Sequence, residues 1–269
     1  MNIVISLLNF YRVKEWFYHL GFVYLGMVYV SGAIVPPVER MIIGFFMGSL
    51  YLGGGYSYNR VCDVARPKKS ESALALLSLI VFLPLNFIFY KRCLIFFLIA
   101  IPLSIVYSHP KILFKKYHFV SIMVNGYLFG ILFLFGCVVG GAPQLSIDVL
   151  LLTLLFCTIM LAYQIIHEMS HFVEDNVAHN KKIIQKYVRE LYVCLLCISV
   201  IVGVIYYILG MNNLFALSSY AFILVFFCVV NSIARSHFDV RIVKKKREIL
   251  RNVGIIYGTV LCFIFLCVR

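Results

Sequence analysis

The apolar residues of this 269-residue chain come in blocks of about 20, with charge largely confined to the gaps between them. A helical block of that length crosses a hydrocarbon core of roughly 30 Å. A helix also satisfies its own backbone polar groups inside lipid, where water cannot. The composition agrees: hydrophobic residues make up 63% of the chain and charged ones 13%, against about 25% charged in a typical soluble domain. A water-soluble core large enough for 24 Phe and 18 Tyr at this length is excluded. The fold class read from the sequence is an all-α integral membrane protein.

Nine transmembrane helices are expected, near 17–35, 41–58, 73–90, 93–107, 118–139, 147–168, 187–209, 213–234 and 252–268, in one domain covering 1–269. Ahead of them, residues 3–14 carry apolar positions at helical spacing and lead into Arg12, Lys14 and Glu15. That pattern predicts an interfacial helix entering the bilayer beside Trp16, an anchor at headgroup level. The opening Met1–Ser6 lacks a basic stretch and a small-residue cleavage site, so no removable signal is expected.

A net charge of +13 raises the question of a nucleic-acid surface. Nine spans answer it, because they place 20 of the 24 Lys and Arg on the side of the N-terminus and leave Arg40, Lys91, Arg92 and Arg269 opposite. Such asymmetry marks the cytoplasmic face. Nine of the eleven acidic residues share that face, and only Glu39 and Asp148 lie opposite. The expectation is a multi-pass protein of the cell membrane with its chemistry facing the cytoplasm and no nucleic-acid partner. The nine cysteines lie mostly inside apolar runs and read as small buried hydrophobes, and the single C-x-x-C pair, Cys194 and Cys197, falls within a span.

Two polar clusters stand at ends of spans on the basic side. The first runs from Gly53-Gly54-Gly55 through Tyr56, Tyr58, Asn59, Arg60 and Asp63 to Arg66-Pro67. Asn59 and Asp63 are four apart and share a helical face; the glycines allow close helix approach. Asp63 paired to Arg60 or Arg66 at a solvated helix end is the simpler alternative. The second cluster runs from Gln164 to Asp175. Glu168, His171 and Asp175, at spacing i, i+3, i+7, fall within a narrow arc of one helix. Ionisable residues where a span leaves the membrane point to a charged partner, with a collar neutralised by Lys181 and Lys182 as the alternative. The same stretch holds His167-Glu-Met-Ser-His171, an H-E-x-x-H pattern that in zinc proteases binds metal, for which Glu174 is the third ligand that helical geometry offers. A third feature, Tyr107-Ser108-His109-Pro110 followed by Lys111, Lys115 and Lys116, offers ammonium groups to a phosphate, with ordinary positive-inside residues as the simpler alternative.

Taken together these features resemble the UbiA superfamily of intramembrane prenyltransferases, along nearly the whole chain. Asn59-Arg-Val-Cys-Asp63 with Arg66-Pro67 resembles a shortened first Asp-rich motif of that family, after its second helix. Glu168-x-x-His171-x-x-x-Asp175 has the spacing of the second motif, after the sixth. Tyr107-Ser108 with Lys115 is similar to the family's segment after helix four, and Tyr11-Arg12-Val-Lys-Glu15-Trp16 to its N-terminal entry. Arg60 stands where the first motif usually has Asp, and His171 and Glu168 replace Asp in the second.

The resemblance implies a UbiA-like bundle of nine helices that transfers a prenyl group from a prenyl diphosphate to an aromatic, quinone-precursor or lipid acceptor. It implies Asn59, Asp63, Glu168, His171 and Asp175 as ligands of Mg2+, or of another divalent ion such as Mn2+. It implies Asp63, Asp175 and Lys115 in catalysis, and Asn59, Arg60, Arg66, Tyr107 and Lys115 at the substrate. Tyr56, Tyr58, Tyr107, Tyr127 and Tyr163 are candidate liners of a carbocation site. The alternatives carried forward are a non-catalytic relative that binds polyprenyl lipid and an H-E-x-x-H zinc protease.

Overall fold

The structure is a computed structural model that describes residues 3–64, 69–112, 114–142, 144–174, 181–209 and 240–267, with isolated positions between 221 and 232. The described residues are helical, without strands. Ten helices are labelled here: α1 (Ile3–Phe10), α2 (Val13–Trp16), α3 (Leu20–Ser31), α4 (Val38–Asp63), α5 (Lys69–Tyr90), α6 (Leu94–Ser108), α7 (His118–Val139), α8 (Ile147–Glu174), α9 (Lys181–Ile208) and α10 (Val240–Cys267). Single turns of 3-10 helix, Phe17–His19, Lys91–Cys93 and Phe114–Lys116, join some of them. The expected span 213–234 lies largely outside the described residues.

Four described segments are long and apolar enough to cross a bilayer: Lys69–Ser108, Phe119–Val139, Ile147–Ile165 and Lys244–Leu266. The first comprises α5, a three-residue turn and α6, and so forms a helical hairpin. Its outward faces carry Ile80, Phe87, Ile88 and Ile95, all largely exposed, as suits contact with lipid. Pro84 and Pro102 lie inside these two helices, a placement far better tolerated in lipid than in a soluble helix.

The chain divides into two compact units, residues 1–146 and 147–269. In the first, α7 is the helix at the centre, with Leu132, Phe133, Leu134 and Phe135 all fully buried. An aromatic cluster ties α4, α5, α6 and α7 together. Phe82 and Phe97 meet edge to face at 4.7 Å, and Phe97 meets Tyr51 at 5.0 Å and Phe135 at 5.6 Å. Such pairs contribute about 0.5–1.5 kcal/mol each beyond their buried area. At the other end of α7, Arg40 donates to the Gly140 carbonyl and Arg92 to the Ala142 carbonyl. One guanidinium thus satisfies the C-cap carbonyl that the helix terminus leaves open, and the other a carbonyl in the turn just after it.

The N-terminal segment differs from expectation in one respect. The apolar run 3–14 is broken at Arg12, which adopts a left-handed φ of 52°. The break lets the Trp16 indole Nε1 donate to the Tyr11 carbonyl at 2.5 Å. Trp16 is only 4% exposed and packs beside Gly53 of α4. It is a packed wedge within the unit, where the sequence suggested a headgroup anchor.

In the second unit α8 packs against α9 and α10. Tyr192 of α9 is fully buried and donates to the Ala162 carbonyl of α8 at 2.9 Å. Leu195, Leu250 and Leu261 are among the buried apolar residues of this unit.

Candidate functional site

Helix α4 begins after Pro36-Pro37, where a proline at the helix entry costs no hydrogen bond. It carries Glu39 in its first turn and Arg60 in its last, both favourable to the helix dipole. It stops at Asp63, and Val64 is extended with ψ 128°. Pro67 follows in the sequence and disfavours helix in the residue before it. The last turns of α4 therefore hold Asn59 and Asp63 on one face at a helix end, as their spacing predicts.

Close packing fixes where that end sits. A methyl group on Gly54 would lie 2.8 Å from the Leu79 side chain of α5, so the missing side chain lets the two helices touch. The buried Ser57 hydroxyl turns back to the Gly53 carbonyl at 2.6 Å, a local bond that leaves no polar atom seeking water.

Three elements converge on the Asn59 side chain. Ser108, the final residue of α6 and 1% exposed, donates its hydroxyl to Asn59 Oδ1 at 2.8 Å. Lys115, on the 3-10 turn between α6 and α7, donates from Nζ to the same oxygen at 3.1 Å. The Lys115 ammonium also pairs with Asp63 Oδ1. Asp63 remains about half exposed, so the ion pair adds only about 0.2–1 kcal/mol to stability. Its Coulomb attraction is screened by water and partly offset by ordering a long side chain. Nearby, burial pushes the Cys62 thiol upward, against the downward pull of a Tyr58 hydrogen bond and the Lys115 charge. Cys62 is therefore a protonated thiol beside the cluster rather than a nucleophile.

Other expected residues take different places. Arg60 is exposed and donates to the Asn9 carbonyl at 2.5 Å, holding α1 against α4. The Tyr107 hydroxyl lies 3.1 Å from Ser121 Oγ and accepts from Asn125 Nδ2 at 3.1 Å, so it joins α6 to α7. Tyr127 likewise ties α7 to α6 through the Phe96 carbonyl at 2.8 Å. Tyr56 faces Phe129 at 6.2 Å between centroids. Arg66 lies outside the described residues.

The sequence marks Ser108 only as part of the Tyr107-Ser108-His109-Pro110 segment, with no role of its own; the structure brings its hydroxyl onto Asn59.

Helix α8 continues unbroken to Glu174, so Glu168 and His171 lie on one stripe of a continuous helix. Asp175 lies outside the described residues. One turn before Glu168, Gln164 is 5% exposed and its Oε1 finds no hydrogen-bond partner among the described residues.

Among the described residues no three His, Cys, Asp or Glu side chains come together as a metal site. Asn59 and Asp63 nonetheless present two oxygens to one cation, the Lys115 ammonium. Mg2+ commonly takes one or two oxygens from a protein when phosphates and water complete its shell. The donor set of the first cluster therefore fits one hard divalent ion.

The model of the UbiA prenyltransferase family matches residues 19–253. No curated protein matches the sequence. Among solved structures, the chain is similar to a digeranylgeranylglyceryl phosphate synthase studied in membranes, with a TM-score of 0.72 and 18% identity over 99% of each chain. It is also similar to a UbiA homologue from Archaeoglobus fulgidus bound to DMAPP and Mg2+, with a TM-score of 0.66 and 15% identity over 96% of this chain and 99% of that one. The same homologue bound to GPP and Mg2+ gives a TM-score of 0.62 and 17% identity, over 95% and 99%.

Proposed function

The chain belongs to the UbiA prenyltransferase family, and from that premise we propose that it moves a prenyl group from a prenyl diphosphate to an apolar acceptor: an aromatic ring, a quinone precursor or a lipid. The observation that carries the reading is the convergence of Lys115, Asn59, Asp63 and Ser108 at the end of α4. A prenyl diphosphate is half lipid and half polyanion. Such a molecule needs an apolar channel for its tail and fixed positive charge for its head where the helices leave the membrane.

Breaking the allylic C–O bond leaves negative charge on the departing diphosphate, and groups already in position to meet that charge lower the barrier most. Lys115 supplies an ammonium that binds phosphate oxygens as a point charge, with Arg66 as a second cation. Asn59 and Asp63 are the residues that would hold a divalent ion. Mg2+, or Mn2+, would supply Lewis-acid charge there, a choice supported by the Mg2+ bound to the Archaeoglobus fulgidus homologue. Ser108 keeps the Asn59 carbonyl turned to the cation. Glu168, His171 and Asp175, with Glu174, are proposed as further ligands on the strength of their spacing. The buried Gln164 Oε1 on the same stripe, without a partner among the described residues, supports a polar ligand at that end of α8. Arg60 and Tyr107 act by holding α1 and the α6–α7 junction. The protein is proposed to work in the cell membrane with this end facing the cytoplasm, in line with the basic excess on that side.

The family membership favours this reading over the zinc protease. The non-catalytic alternative keeps one support, since Lys115 already neutralises the only carboxylate of the first cluster. Diphosphate release from a set of prenyl diphosphates separates the two, measured on detergent-purified protein with Mg2+ or Mn2+. Release is expected in the wild type, with losses of about 100-fold or more in Asp63→Asn and Lys115→Met. Prenyl diphosphate binding without release under any condition would establish the non-catalytic alternative. Full activity in both variants would remove the first cluster from the site.

A further inference from the structure

We propose that Asn59 and Asp63 form a single-cation site for which Lys115 and a divalent ion compete, and that a bound diphosphate is what allows both cations to remain. The inference rests on the reading of the first cluster as the diphosphate-binding end of the protein, and it adds a coupling that this reading does not contain.

The Asn59 side-chain carbonyl oxygen has two lone pairs, and both are taken, one by the Ser108 hydroxyl at 2.8 Å and one by the Lys115 ammonium at 3.1 Å. A divalent ion that uses this oxygen must displace one of them. Ser108 is 1% exposed and fixed at the end of α6, so losing its acceptor leaves a buried hydroxyl without a partner. Lys115 reaches in on a flexible four-carbon stem from a short turn, and its ammonium can return to water at little cost. Lys115 is therefore the group that yields.

Charge leads to the same result from the other partner. Asp63 is the only carboxylate between Gly53 and Lys69, so the site offers one negative charge and Lys115 cancels it. A divalent ion added beside a retained ammonium would leave a local excess of positive charge, and the two cations would repel across a few ångströms. A diphosphate placed between them removes the repulsion, because its oxygens accept from Lys115 on one side and from the metal on the other. Metal and diphosphate then strengthen one another's binding, by equal factors in both directions. Divalent metal alone binds weakly because Lys115 holds its place. Substrate and metal arrive as partners, and Lys115 exchanges a carboxylate for a phosphate without leaving the site.

The test uses Mn2+ alone as the probe, titrated into the detergent-purified full chain and read by the loss of the free-ion EPR signal. Lys115→Met and Lys115→Gln, at a position where the lysine side chain is 23% exposed, should bind Mn2+ about tenfold more tightly than the wild type. Lys115→Arg keeps the charge and should show no such gain. The gain should vanish when Asp63→Asn is added to Lys115→Met, which separates this site from any other that takes Mn2+. Neutral variants that bind no more tightly than the wild type overturn the proposal, as does a gain that survives Asp63→Asn. Absence of bound Mn2+ in every form also overturns it. Diphosphate release is measured in parallel: a protein that releases diphosphate without a Lys115→Met gain refutes the competition alone, and one with the gain but no release refutes the enzyme reading alone.

Discussion

Gly26 of α3 and Gly136 of α7 meet backbone to backbone. A methyl group on Gly26 would stand 2.8 Å from the Gly136 carbonyl carbon, and one on Gly136 would stand 2.8 Å from the carbonyl carbon of Val23. Neither neighbour is a side chain that can swing aside, so the crossing of these helices depends on two hydrogen atoms. In lipid, where burial of apolar surface gives helices no reason to associate, such close contact is a main source of packing energy.

Gly136→Ala is accordingly expected to destabilise the protein by about 1–3 kcal/mol or more, read as a lower midpoint of thermal unfolding in detergent. Gly55→Ala is the control. Nothing lies within 4 Å of a methyl group there, and replacing a helical glycine should stabilise by about 0.5–1 kcal/mol. Equal effects at the two positions would refute the packing argument.

Ser108→Ala removes a hydroxyl from Asn59 Oδ1 without touching Lys115 or Asp63. A neutral hydrogen bond is worth about 0.5–1.5 kcal/mol, so diphosphate release at low substrate should fall roughly 2- to 15-fold. A positioning role also predicts that Ser108→Thr restores most of the activity, since it returns the hydroxyl. Unaltered kinetics in Ser108→Ala would show that the orientation of Asn59 does not matter.

Tyr107→Phe distinguishes contact with substrate from support of the turn that carries Lys115. Its hydroxyl bonds Ser121 and Asn125 of α7, so its loss removes two hydrogen bonds between α6 and α7 and should cost about 1–3 kcal/mol of stability. KM for the prenyl diphosphate should stay within about twofold of the wild type at temperatures where the variant is folded. A large rise in KM with undiminished stability would return Tyr107 to the substrate.

His19 gives a prediction of opposite sign. It is 2% exposed, stacks on Phe129 at 4.0 Å, and its Nδ1 has no hydrogen-bond partner among the described residues. Burying a polar atom without a partner costs about 1–3 kcal/mol, and a phenyl ring fills nearly the same volume. His19→Phe should match or exceed the wild type in thermal stability. A fall of more than about 1 kcal/mol would mean that the imidazole makes a bond in the working protein.

The architecture was readable wherever one physical requirement dominated. Apolar runs long enough to cross a bilayer located α5, α6, α7 and α8 to within a few residues, because nothing else explains such runs. The Lys91–Cys93 turn was visible as the charged gap between two of them. Helical spacing likewise put Asn59 and Asp63 on one face. What the chain did not disclose locally was everything joined across long separations. Lys115 reaches Asn59 across 56 positions and Ser108 reaches it across 49, and no periodicity encodes such a meeting; only the family resemblance brought Lys115 near the first motif. Arg60 is a related case: the family resemblance implied a role at the substrate, and the sequence held no sign that its guanidinium donates to the Asn9 carbonyl, 51 positions away. The left-handed Arg12 was equally hidden, since a non-glycine residue at positive φ follows from the contacts of Trp16 rather than from local preference.

The turn between α5 and α6 bears on how the protein enters its membrane. Only three residues, Lys91–Cys93, separate the two helices, too few for either to be threaded and anchored independently. With the basic side in the cytoplasm, as proposed, the pair goes in together, tip first, and the tip carries two cations. Moving one Lys or Arg through the bilayer centre costs about 2.5–3.5 kcal/mol on insertion scales, an expense the apolar flanks of the hairpin can meet. Arg92 then closes on the Ala142 carbonyl at the end of α7, a helix made only after the hairpin has left the ribosome. The last step of insertion for one element is thus a docking step for the next.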